Sequence, residues 1–213
     1  MKIVLITVAL IDLAGVGLYF ALTNNTNTNN TTNTAARTSQ QQPPESAMSQ
    51  MYASISGDEF DKAFLSDMLA HHQGALNIAS LARAETTKNE IRKLSENILA
   101  SQTKEVQQMM DWQQQWGYID GTDPHAGHVM EAGDGMGADM AAMEAKLYDL
   151  TGEAYDKEFV AQMILHHQQA IDMSRYAETN AKHQELKAMA AAIIAAQQKE
   201  IDDMKRWQQQ WGY

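Results

Sequence analysis

Apolar side chains recur at helical period in four long stretches of this chain. Phe60, Phe64, Met68, His71, Ala75, Ile78 and Ala82 are separated by four, four, three, four, three and four residues, a stripe down one face of a long helix. The pattern stops at Glu85-Thr86-Thr87, and a second stripe follows through Ile91, Leu94, Ile98, Gln102, Met109, Trp112 and Trp116, with Gly117 placed to end the helix. Tyr155, Phe159, Met163, His166, Ala170, Met173 and Ala177 repeat the first spacing, and Leu186, Met189, Ile193, Met204, Trp207 and Trp211 make a fourth stripe. Ser56 is the expected N-cap of the first helix, ahead of Asp58 and Glu59 in the first turn. Strand signals are absent. Two hairpins, residues 45–118 and 140–213, each with one apolar side, bury those sides most simply against each other. The predicted fold class is therefore all-α, a four-helix bundle built from two tandem helical hairpins, with short helices expected around Met48 and Met143.

Three stretches stand apart from this pattern. Ile3 to Leu22 is predominantly apolar, with Asp12 its one charged residue, and residues 1–22 read as a membrane anchor, or alternatively as a signal peptide, since a helix of that length reaches about 30 Å. Either reading puts the remainder outside the cytoplasm, in the periplasm or at the cell surface. Residues 23–44 are rich in Asn and Thr and bury nothing apolar, so a flexible tether is expected there. Residues 119–139 carry glycines and Pro124, the marks of a loop between the hairpins.

The two hairpins share more than their spacing. Met68-Leu69-Ala70-His71-His72 returns as Met163-Ile164-Leu165-His166-His167 at an offset of 95, and Trp-Gln-Gln-Gln-Trp-Gly-Tyr occurs verbatim at 112–118 and 207–213. On a helix each Met lies one turn below its own His pair, so one thioether and two imidazoles are expected on one patch of each repeat. Folding each hairpin at a turn near Thr86 puts Ser101 and Gln102 level with His71, and Glu105 and Met109 one and two turns further along. Gln197, Glu200 and Met204 are their counterparts in the second repeat. Met109 and Met204 read equally as core residues or ligands, and Glu105 and Glu200 as partners of the histidines or as solvated edges of the stripe.

Composition narrows the chemistry. The chain has no cysteine and 14 methionines, so thiolate sites and disulfides are unavailable while thioethers are plentiful. A net charge of −11 favours cations over nucleic acid as partners. Thioether suits Cu(I) and imidazole accepts Cu(II) as well, so a copper ion is the expected cargo, Cu(I) before Cu(II). No Glu-x-x-His occurs, which leaves a di-iron centre without its usual ligands. The candidate ligands are Met68, His71, His72 and Met109 in the first repeat, and Met163, His166, His167 and Met204 in the second. His125, His128 and Met130 in the intervening loop form a second candidate for copper capture, weighed evenly against a polar linker. His183 has no such company and reads as a solvated surface residue. Haem held by Met and His in a bundle for electron transfer is a second functional class, and a helical module without metal a third. Nothing in the chain resembles a hydrolase or phosphate-binding motif, and no enzyme is expected.

At Phe-x3-Met-x2-His-His-x2-Ala, present at Phe64 to Ala75 and Phe159 to Ala170, the chain resembles the ferritin-like family catalogued as domain of unknown function 305, in two tandem copies. The resemblance implies a four-helix bundle in an exported bacterial protein, with copper binding in some relatives. By position it implies metal binding at Met68, His71, His72, Met163, His166 and His167. It also brings in Met173, after the second His pair, where the first repeat has Ile78. A copper donor or acceptor protein is the expected macromolecular partner, together with the membrane through the N-terminal helix.

Overall fold

In the computed structural model, residues 47–119 and 136–213 are described. The predicted N-terminal helix, the Asn/Thr-rich stretch and His125, His128 and Met130 lie outside the described residues. The described residues form α1 (Ala47–Ser54), α2 (Asp58–Glu85), α3 (Asn89–Gln115), α4 (Met136–Ala145), α5 (Gly152–Ser174), α6 (Ala177–Asn180) and α7 (Gln184–Trp211), with no β-strand among them. The fold is an all-helical bundle, as the stripes predict. Among these helices none is long and apolar enough to cross a membrane.

Every apolar position of the first and third stripes is buried, and these faces meet: α2 packs on α3, α5 on α7, and α2 on α5. The first turn of α2 carries Asp58, Glu59 and Asp61 and its last turn Arg83, the charge order a helix dipole favours. Both hairpin returns end alike. Gly117 and Gly212 have φ of 70° and 75°, a region costly for other residues, and Tyr118 and Tyr213 donate back to the carbonyls of Gln113 and Gln208 at 2.8 and 2.9 Å.

The start of α2 departs from the expectation for Ser56. Gly57 occupies the N-cap position without a side-chain cap, and its N–H donates to the Asn180 carbonyl at 2.8 Å. The chain enters α2 from a contact with the other half, so a local serine cap is not what positions it. Capping of the hairpin turns is reciprocal. Asp61, fully buried, accepts the backbone N–H groups of Lys182 and His183 at 3.0 and 3.1 Å, just before α7 begins. Asp156, also fully buried, accepts the Thr86 and Thr87 hydroxyls and the Thr87 N–H just before α3. Each half therefore caps the turn of the other. These contacts place the start of α2 beside the end of α5's hairpin arm and the start of α5 beside the end of α2, so the two helices run antiparallel.

The two short helices expected around Met48 and Met143 are present, and each docks on the opposite half. α4 lies on α2 and α1 contacts α5. Gly74 makes the first docking possible, since a β-carbon there would stand 2.7 Å from Met140 Cγ. Tyr52 of α1 is fully buried, edge-on to Phe60, stacked near Tyr176, with its hydroxyl donating to Asp67 at 2.6 Å.

Candidate metal centre

The histidine pairs sit half-way along α2 and about two-thirds of the way along α5, where the antiparallel helices cross, and all four rings are fully buried. Adjacent residues on a helix point about 100° apart, so each pair divides its attention between two neighbours. His71 and His166 turn toward each other across the crossing. Their ring centroids are 3.6 Å apart, and each donates its Nε2–H to the other's backbone carbonyl, at 2.8 and 3.0 Å. His72 turns to α3 and donates Nε2–H to Glu105 at 2.7 Å, and His167 turns to α7 and donates to Glu200 at 2.6 Å. Within each pair the centroids lie 6.1 and 5.9 Å apart, so the four imidazoles form a file from α3 to α7.

The hairpin turn falls at Thr86 to Lys88, and of the two readings of Glu105 and Glu200, partner of a histidine or solvated edge of the stripe, the first holds. Gln102 and Gln197 are buried, one turn before these glutamates, with each Oε1 lacking a partner. The sequence put Gln102 level with His71 and Gln197 at the matching position without making either a ligand; a polar residue repeated exactly in the middle of an apolar stripe is the signal that both belong to the site.

With every Nε2 used as a donor, the lone pair of each ring resides on Nδ1. All four Nδ1 atoms, of His71, His72, His166 and His167, are buried without a hydrogen-bond partner. An unsatisfied buried polar atom costs about 1–3 kcal/mol, so four at one crossing call for a ligand that takes lone pairs. Burial, then the neighbouring His166 and His72, holds His71 well below the usual imidazole range. Burial and then His167 do the same for His166. Both are neutral near pH 7, the state in which imidazole binds a metal.

Met68, Met109, Met163 and Met204 are fully buried, and Met68 and Met163 lie one turn before their His pairs. Met173 is 1 % exposed and sits at the end of α5, seven residues beyond His166, about 10 Å of helical rise. Among the described residues no three His, Asp or Glu side chains gather as a metal cluster. The available donors are imidazole nitrogen and thioether sulfur, which fit a soft ion better than a hard one. The contact between the His71 and His166 rings leaves no slot for a porphyrin between them.

Asp67, one turn before His71, turns away from this file to accept the Tyr52 hydroxyl; burial raises its carboxyl above the ordinary range. His183 is not the solvated residue expected. Its Nδ1–H donates to Asp61 at 2.6 Å and its ring stacks on Trp116 with centroids 3.7 Å apart and planes 4° from parallel. The equivalent place in the other half is filled by Lys88, whose Nζ lies 4.9 Å from the Trp211 ring centre. The paired tryptophans thus close the two ends of the bundle against the opposite half's turn.

A family model described as domain of unknown function (DUF305) matches residues 61–208. The chain belongs to the DUF305 family. No curated protein matches it. Among solved structures, CopM in its Cu(I)-bound form is 32% identical, with a TM-score of 0.57 over 71% of this chain and 96% of that one. CopM in its Cu(II)-bound form is 31% identical, with a TM-score of 0.56 over 71% of this chain and 98% of that one. A DUF305 protein from Streptomyces coelicolor, 23% identical with a TM-score of 0.58 over 72% and 94%, shares the fold.

Proposed function

We propose that this chain is a copper-binding protein of the extracytoplasmic space, which takes up Cu(I), and Cu(II) second, and sequesters it or passes it to another protein without catalysing a reaction. The observation that carries the reading is the set of four buried, partnerless Nδ1 atoms with a methionine one turn from each His pair. The relatives support the same chemistry, since CopM is known in Cu(I)-bound and Cu(II)-bound forms.

In this reading the first half binds through Met68, His71, His72 and Met109, and the second through Met163, His166, His167, Met204 and Met173. His125, His128 and Met130 act as a capture loop. Glu105 and Glu200 hold His72 and His167 by Nε2 and leave Nδ1 to the metal, the usual arrangement of a carboxylate behind a ligating imidazole. Thioethers neither oxidise to disulfides nor need to lose a proton, which suits an oxidising compartment. The apolar run at residues 3–22 anchors the chain to the membrane, and the bundle consists of two tandem copies of a ferritin-like unit.

Cu(I) titration against a coloured chelator tests the proposal. The variant with His71, His72, His166 and His167 all changed to Ala is expected to lose at least about 100-fold in affinity, as loss of the imidazoles that touch the ion should cost more than the about 10–100-fold of the groups that hold them. Full stoichiometry and affinity in a variant that remains helical would refute it.

A further inference from the structure

The four imidazoles have no solvent exposure, so an ion must reach them by a path. α3 and α7 face one another across a groove of about 460 Å³. Lys93 and Asn97 of α3 and Ala196, Lys199, Glu200 and Trp207 of α7 are among its walls. Glu200 belongs to this groove and also to the histidine file: its side chain keeps 21% exposure, while His167, to which it is bonded at 2.6 Å, has none. The carboxylate is thus the boundary between water and the buried donors of the second half. Behind it lie the partnerless His167 Nδ1 and the fully buried Met163 and Met204.

We propose that the groove between α3 and α7 is the entry path for Cu(I) to the second-half donors, with Glu200 as its gate. The proposal rests on the copper reading above. A cation leaving water loses hydration, and a carboxylate at the inner end of the groove supplies compensating charge at that point. Rotation of Glu200 toward the groove frees His167; its return restores the Nε2–H bond and holds the ring with Nδ1 facing the donors. The hydrogen bond is broken and re-formed on a side chain that retains contact with water, so the movement leaves no carboxylate buried without a partner.

The path is tested with a plug. Asn97→Trp and Ala196→Trp fill the groove at exposed positions, remote from the backbone contacts of the core. In a His72→Ala background, which silences the first half, transfer of Cu(I) from a chelator is followed by stopped flow. Loading is expected to slow at least about tenfold with affinity held within about twofold, since a barrier on the path changes rates and not the end states. In the metal-free protein the plug is also expected to slow exchange of the His167 Nε2 proton with water, read by ¹⁵N NMR. A second variant works by charge: Lys93→Glu makes the mouth more negative and speeds loading at low salt, an advantage that fades at high salt. Unchanged loading and proton exchange in the plugged, folded protein would overturn the path. Failure of the unplugged background to bind Cu(I) would sink the copper reading instead, while the proton-exchange result still judges the groove.

Discussion

The two halves of the bundle match inside and differ outside. Met, His, His, Gln, Glu and Met recur at the crossing, each half offers one buried aspartate to the other's turn, and each ends in a stacked Trp pair followed by a glycine of positive φ. Beyond that shell the likeness fails. α2 runs unbroken for 28 residues, whereas α5 stops at Ser174 and resumes as the single turn α6. Gly74 admits Met140 of α4, while Gln169 stands at the equivalent place on α5. The neighbouring Leu165 remains 52% exposed. Tyr52 of α1 is matched in sequence by Leu147, beyond the end of α4. Residues that hold the histidines or lock the halves together are repeated, and residues that seat the short outer helices are not.

The lock gives the largest expected effect. Asp61→Ala strands two backbone N–H groups and the His183 imidazole, and Asp156→Ala strands the Thr86 and Thr87 groups. Each should lower the unfolding free energy by about 3 kcal/mol in urea, a cost set by the loss of hydrogen bonds to a buried charge. Near-equal losses would uphold the equivalence of the halves. A loss below about 0.5 kcal/mol for either would break it, being the level of an ordinary surface change.

Protons come next. The folded values of His71 and His166 are depressed, so below about pH 6.5, the ordinary imidazole value, the unfolded chain binds more protons than the folded one. The stabilisation is therefore complete above that pH and declines as pH falls toward the folded values, by up to about 1.4 kcal/mol per pH unit for each ring. Denaturation of the metal-free protein between pH 7 and 5 measures the slope. In His166→Gln the contribution should fall by about half if the two halves share it; an unchanged slope would assign it elsewhere.

The smallest effect belongs to the outer helices. Gly74→Ala forces Met140 away and should cost about 1 kcal/mol, the strain of overpacking being partly offset by the better helix propensity of alanine. Gln169→Ala, at the matching position, should lie within about 0.5 kcal/mol of the parent. Equal costs would mean that α4 is seated by something other than the glycine.

Much of this architecture was legible in the sequence, because helical period alone fixes which side of each long helix is buried. The stripes through Phe64 and Phe159 placed His71 and His166 inside, and the offset of 95 marked the two sites as copies, whereas their meeting ring to ring across the crossing is a feature of the structure. The orientation of the rings was not legible. Neighbouring histidines diverge by the angle of one helical step, so whether they pinch one ion or reach toward separate helices depends on the crossing of α2 with α5. The partners of Asp61 and His183 were hidden for a related reason. They come from the other hairpin, more than 120 residues away in sequence for Asp61, and a surface-like pattern of polar residues says nothing about a stack on Trp116. Ser56 misled in the opposite direction: its residue type suits a cap, yet the backbone of Asn180 holds the chain there.

Reciprocal locking has a further implication. A lone hairpin carries both the aspartate that is given and the turn that receives it, as well as a histidine able to meet its own copy about a two-fold axis. Two detached hairpins would meet only as often as dilution permits. Carried on one polypeptide they stay at a fixed local concentration, and assembly ceases to depend on how much protein the compartment holds.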